Sequence, residues 1–346
     1  MLYRSHGHTG HGPVTVFFIV TLLQNIKVRL TAAILFMAYA CTYGCYATGV
    51  IRLDRIIAAP ICGDSISQNA MLDSLRPAVD AMARIGILEN NDLDGLKKYA
   101  EGRAFRFFAP DIDAKLDYDK LAAHISSTIH AVTSLLPEIS GPKHAYGIIT
   151  PYNQSVMNVD SVMLIGLNHY LGADYDAYRY FEPYLRRQKD SRKAAYHIAE
   201  SLVQQRYPYL ADSTATALNY MIHDGAVTAA LMAAVPEASL ADAGGWTPEE
   251  LLWLEQHESE LWEAMKAKKM LQTSDPKTLS QLFAPSPGTL IFENHAPGRT
   301  GRYIGYRMVR SYLDSDPSAD ISGLLTPTGY MDDASEISGC YHPASM

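Results

Sequence analysis

The spacing of apolar residues changes twice along this chain, and that change limits the folds open to it. Over 117–136 the spacing is helical. Leu121, Ile125, Ile129 and Val132 fall on one stripe, and Pro137 stops it. Three short runs of strand-like length follow at 145–150, 156–158 and 161–166, punctuated by Pro151-Tyr152-Asn153. The run at 156–158 reads as the partner of 145–150, in a hairpin or a three-strand sheet edge. Helical spacing then returns at 174–188, 190–204, 213–235, 247–270, 276–283 and 300–314, and it is present earlier at 67–86 and 92–101. One small strand-rich insert in a mostly helical chain predicts a single α+β domain with a small mixed or antiparallel sheet. The stretch beyond Asp314 is rich in Pro, Ser and Gly and is expected to pack loosely.

Composition narrows the function. Hydrophobic residues make up 48% of the 346, enough for a sizeable core, so disorder is excluded as the main state. Basic residues number 29 against 37 acidic ones, with no basic run, which excludes a general nucleic-acid binder. The 22 tyrosines suit either core packing or a wide amphipathic surface. Tyr170, Tyr175, Tyr178 and Tyr180 are candidates to line a groove for a carbohydrate or peptide.

The first forty residues read as targeting. Lys27 and Arg29 precede an apolar run at 30–40 that ends in Ala38-Tyr39-Ala40, a signal-peptide cleavage pattern too short to span a bilayer. Cys41 follows at once and is the expected lipid attachment site, with Cys45 as the alternative. The acyl chains would hold the protein to a membrane. A further apolar run at 14–23 follows His6, His8 and His11 and carries no reading. The expected organisation is an N-terminal extension and signal peptide at 1–40, a linker at 41–50, the folded domain at 51–315 and a tail at 316–346. Cys62 and Cys340 could bridge the two ends of the body in an oxidising compartment. No C-x-x-C pair is present, so a structural zinc cluster is not expected.

Three motifs bear on chemistry. Thr247-Pro248-Glu249-Glu250 is a helix start, with a hydroxyl at the N-cap, proline at the first position and an acid at the third. Downstream, Leu251, Leu254, Glu258, Leu261 and Met265 share a face, and Glu258 there must find a partner or raise its pKa. His223-Asp224-Gly225-Ala226-Val227 begins like the zinc helix H-E-x-x-H and fails where Val227 replaces the second histidine. His223, Asp224 and Glu258 are therefore candidates for a vestigial site, and no metal or cofactor is expected. Gly301 and Gly305 lie four apart on the last long helix, close to Arg299, Arg302, Arg307 and Arg310. Arg299, Gly301 and Gly305 mark either an anion site at a helix start or a close helix contact.

Taken in order, several stretches resemble the gliding-motility lipoprotein family GldB of Bacteroidetes. They are Ile51-Arg52-Leu53-Asp54, Phe108-Ala109-Pro110-Asp111, 124–137, 163–172 with Asp174 and Tyr178, and Tyr184-Leu185-Arg186-Arg187. In the second half they are His223-Asp224-Gly225, the stretch from Trp246 to Trp262, and that from Pro297-Gly298-Arg299 to Tyr312. The resemblance covers residues 50–315. It departs in the histidine-bearing extension, the weak lipid-attachment motif and the tail. It implies a zincin-like α+β fold with a degenerate metal motif, in a cell-envelope lipoprotein associated with a gliding or type IX secretion-related apparatus. The leading reading is a non-catalytic, lipid-anchored envelope protein that acts by binding protein partners. The alternatives are a divergent metal-dependent hydrolase using His223, Asp224 and Glu258, and a glycan- or peptide-binding accessory protein.

Overall fold

The computed structural model describes residues 49–58, 65–210, 212–285 and 296–343, with backbone alone for 65–67. Four strands, β1 (Ile51–Arg52), β2 (His144–Ile148), β3 (Val156–Val159) and β4 (Val162–Gly166), form a sheet in the order β1-β2-β4-β3. The last two make an antiparallel hairpin through Asp160 and Ser161. Asp160 takes a left-handed φ of 51°, which a short polar side chain tolerates. Strand β2 pairs with β4, in parallel, with Tyr146 opposite Leu164. This corrects the expected pairing of 145–150 with 156–158. The reason is burial. All of β4 and all but the first residue of β2 are buried, the pattern of central parallel strands. Strand β3 alternates buried Met157 and Val159 with half-buried Val156 and Asn158, as an edge strand does.

Before the sheet run α1 (Leu53–Ala58), α2 (Ser65–Ser74), α3 (Arg76–Arg84), α4 (Leu93–Glu101), α5 (Arg103–Lys115) and α6 (Tyr118–Leu135). The helix expected at 67–86 is two helices. Pro77 cannot donate to the preceding turn, and the chain breaks at Leu75. Helix α5 went unexpected because Pro110 lies inside it. The helix expected at 174–188 is instead a three-residue 3₁₀ turn, Asp176–Tyr178, followed by the short α7 (Pro183–Arg187), which Pro183 opens. Tyr170, Tyr175 and Tyr178 are buried here, whereas Tyr180 is 82% exposed, so these rings do not line one groove. That corrects the glycan- or peptide-groove reading.

The second half holds α8 (Lys193–Arg206), α9 (Ala217–Ala234), α10 (Leu240–Gly244), α11 (Pro248–Gln256), α12 (Glu258–Ala267), α13 (Pro276–Phe283) and α14 (Thr300–Ser315). The Thr247 start is formed as expected. Its hydroxyl accepts from Glu250 N at 3.1 Å, and Glu250 Oε2 accepts from Thr247 N at 2.8 Å. The helix expected over 247–270 divides at His257. The imidazole stacks on Trp253 at 4.0 Å, and its Nδ1 lies 2.8 Å from the Trp253 carbonyl oxygen. Beyond Asp314 the chain is not loose. Helix α15 (Ile321–Leu324), a π-helical turn at Thr328–Asp332 and α16 (Ala334–Gly339) bury Leu324, Tyr330, Ile337 and Tyr341. The tail is therefore part of the core. Cys41, Cys45, Cys62 and the N-terminal histidines lie outside the described residues, so the lipid site and the Cys62–Cys340 bridge do too.

Helix α9 is the central element, and its main neighbour is α14. They meet at glycine. A Cβ on Gly305 would lie 1.9 Å from Met221 O, and one on Gly225 would lie 2.3 Å from the Gly305 backbone. Both positions need the missing side chain. Gly301 differs, since its nearest neighbour is the Phe283 ring at 2.7 Å, which can move. Gly301 and Gly305 thus serve packing. Gly305→Ala is expected to destabilise the fold by about 3 kcal/mol through overpacking. Gly301→Ala should change stability by less than about 1 kcal/mol, because the helix-propensity gain offsets the ring shift. Urea unfolding of both variants checks the difference.

Candidate functional site

Consecutive residues on a helix point about 100° apart, and α9 uses this to separate the two residues that the sequence groups together. His223 is buried, and its Nε2 lies 2.9 Å from the Tyr207 carbonyl oxygen. Its ring sits between Tyr209 and Tyr330, at centroid distances of 5.4 and 5.0 Å. Burial lowers its pKa, keeping the ring neutral with Nε2–H donating to that carbonyl. Val227 is fully buried in the core. Glu258 opens α12 inside a separate cage. Tyr303 and Tyr341 donate their hydroxyls to it at 2.7 and 2.8 Å, and Arg307 Nε donates at 3.2 Å. Burial, and then the carboxylate, pushes both phenols well above their usual range. The acid on the apolar stripe has found partners, two of them from α14 and one from the tail. His223 and Glu258 have no partner in common. Among the described residues no three His, Cys, Asp or Glu side chains are grouped as a metal would require.

Asp224 turns the other way, into a cluster built by α8, α9 and α14. Arg302 is 5% exposed. Its Nε donates to Thr228 Oγ1 at 2.9 Å and its Nη1 to Glu200 Oε1 at 3.0 Å, while Asp224 Oδ1 lies 3.7 Å from the same Nη1. Two carboxylates therefore share one guanidinium, with opposite results. Burial would raise the Glu200 pKa, but Arg302 and Arg299 more than reverse this and hold it below the usual range. For Asp224 burial prevails over Arg302, and the pKa is raised. Asp224 is thus the member of the pair that more readily keeps a proton. Arg299 precedes α14 in a left-handed conformation, with φ 58°, and its Nη1 donates to Gly244 O at 3.0 Å.

The cluster continues along α8. Lys193, His197 and Glu200 are spaced to share one face. Lys193 Nζ lies 2.5 Å from Asp242 Oδ1, and His197 Nδ1 lies 3.1 Å from Tyr170 OH and 3.3 Å from Ser155 Oγ. Nearby, Lys189 Nζ donates to His169 Nδ1 at 2.8 Å and lies over the rings of Tyr178 and Phe181, while His169 Nε2 lies 2.9 Å from Tyr152 O. Burial is the main force on both histidines, with Lys189 adding to it at His169, and each pKa falls to about 4. Of this group the sequence singled out Asp224, Arg299 and Arg302. It missed Lys193, His197 and Glu200. Their signal was available: three ionisable residues at i, i+4 and i+7 among Ala194, Ala195, Ile198, Ala199, Leu202 and Val203, all of which are buried.

Such an arrangement can present guanidinium donors beside a helix start and keep two neutral imidazoles away from bulk water. A family model described as "Gliding motility protein GldB" matches residues 50–337. No curated protein and no solved structure matches the chain.

The depressed histidines fix a pH dependence. Their folded pKa values, about 4, lie below the unfolded value near 6.5, so the unfolded chain binds more protons between these limits. The contribution is fully present above pH 6.5 and is lost as pH falls towards 4, on the order of 3 kcal/mol for each ring. Urea unfolding from pH 7 to pH 4 should show this decline, and His197→Gln should remove about half of it.

Proposed function

The chain belongs to the GldB family of gliding motility proteins, and on that premise we propose that it is a non-catalytic, lipid-anchored protein of the cell envelope that acts by binding a protein partner. What carries this reading is the commitment of the chemically capable side chains to one another. His223 is spent on a backbone carbonyl, Glu258 on two tyrosines and Arg307, and Glu200 on Arg302. A general base or metal ligand must keep a lone pair free to meet substrate. Glu258 and Glu200 spend theirs on Tyr303, Tyr341, Arg307 and Arg302, and His223, which donates its Nε2–H, keeps its remaining lone pair inside the core. Removing one partner of such a buried pair costs far more than the pair itself contributes, so they act as structure.

The reading includes a zincin-like scaffold, in which α9 is the counterpart of a helix that elsewhere binds zinc and Val227 stands in the second ligand position. It also includes lipid attachment at Cys41, with Cys45 as the alternative, on the periplasmic side of the inner or outer membrane. The partner would belong to a gliding or secretion-related envelope apparatus. No helix among the described residues is long and apolar enough to cross a membrane.

Metabolic labelling with a lipid precursor should mark the protein and fail to mark Cys41→Ser. Loss of label only in Cys45→Ser would move the site, and an unlabelled native protein would remove the anchor. Protein purified without a histidine tag should carry no stoichiometric zinc. Zinc at one equivalent that disappears in His223→Ala would replace the binding reading with a hydrolase.

A further inference from the structure

Buried hydrogen-bond donors exceed their acceptors at one place in this fold. Among the described residues, five buried side-chain atoms lack a hydrogen-bond partner. Four of them are Arg186 Nε, Arg187 Nε, Thr300 Oγ1 and Arg302 Nη2. Two lie on α7 and two on α14, and Gly245 stands beside the chain next to each pair. A Cβ there would lie 2.6 Å from Arg299 Nη1 and 3.3 Å from Gln188 Nε2. The contact continues on either side. Arg187 reaches Glu250 at 3.1 Å, and Trp246 Nε1 donates to Gly298 O at 2.8 Å. Native interiors rarely leave such donors unpaired, and each of these calls for an acceptor.

The backbone adds to the excess. Helix α14 is 16 residues long, and its N-cap residue, Arg299, provides no side-chain cap. The first N–H groups of a helix have no partner within it, and its dipole is positive at that end. Thr300, the first residue of α14, is fully buried, and Arg302, the third, is 5% exposed, so bulk water does not serve them. The acids nearby are already engaged. Glu200 and Asp224 meet Arg302 through Nη1 and leave Nη2 open, Glu250 holds Arg187 through Nη2, and Asp242 holds Lys193.

We propose that the start of α14, with Arg299, Thr300, Arg302 and, from beyond Gly245, Arg187, binds a phosphate group. Four unpaired side-chain donors, together with helix N–H groups, exceed what the two oxygens of a carboxylate can accept, whereas phosphate offers more acceptor oxygens. The source is a small soluble phosphate and not a lipid headgroup. The donors are buried, and the residues after the first 44 carry a net charge of −11, which an anionic bilayer repels. This site does not depend on the lipid anchor or on the partner-binding reading.

Calorimetric titration with inorganic phosphate at constant ionic strength tests it, with acetate and chloride as comparison anions. Saturable one-site binding is expected for phosphate, with acetate at least tenfold weaker. Thr300→Val and Arg187→Gln should each weaken phosphate binding about tenfold while circular dichroism stays unchanged. Arg187 is 30% exposed, so its variant remains folded even where a change at Thr300 does not. Absence of saturable binding, equal binding of acetate, or undiminished affinity in Arg187→Gln would overturn the proposal. So would sedimentation with phosphatidylglycerol vesicles in the absence of any response to free phosphate.

Discussion

The contact of α9 with α14 sets the position of nearly everything else. Two glycine backbones touch where side chains would hold the helices apart, and the crossing that results fixes which residues of each helix can meet. With Gly305 against Met221 and Gly225, Arg302 lies one turn earlier, where it reaches Asp224 and Thr228. Tyr303 and Arg307 fall on another face of the same helix and reach Glu258. One close approach therefore serves two polar centres on opposite sides of α14. Widening it by a methyl group would disturb both, since packed interiors transmit strain.

Those two centres follow the same physical rule with different materials. Around Glu258 a single carboxylate is neutralised by one arginine and solvated by two phenols. Around Arg302 a single guanidinium serves two carboxylates, and one of them is left short of partners. Buried ion pairs of this kind contribute little net stability, because desolvation offsets attraction. Their effect is on choice. A core holding charges in a fixed order has few alternative packings, since every slip leaves a charge unpaired. The sheet shows the apolar version of the same restriction. The continuous apolar run of β4 is buried on both faces, and it lies inside the sheet between β2 and β3.

What the residues announced in advance was local. The Thr247 start and the stripe of α6 both depend on neighbours within a turn or two, and the structure contains them. Pairings set by distant chain were not legible. Strand β2 lies closest in sequence to β3 yet pairs with β4, and proximity along the chain points to the wrong partner. The break at His257 has no proline or glycine to mark it, and the ring stacked on Trp253 there is not announced by any spacing. The charged face of α8 was visible as spacing. What it faces, Asp242 from one side and Arg302 from another, becomes clear only when three helices are assembled. Tail composition misled for a related reason. Pro, Ser and Gly shape its turns, while a few large residues between them supply the buried contacts.

That tail has a consequence for how the molecule is made. Tyr330 closes over His223 and accepts from Leu210 N at 3.1 Å, and Tyr341 is one of the two phenols on Glu258. A ribosome delivers both tyrosines after the helices that need them. Until they emerge, an imidazole and a carboxylate near the middle of the sequence stand without part of their shell. A product truncated before Tyr330 would lack both closing rings and would present the two groups to quality-control proteases as an unfinished surface.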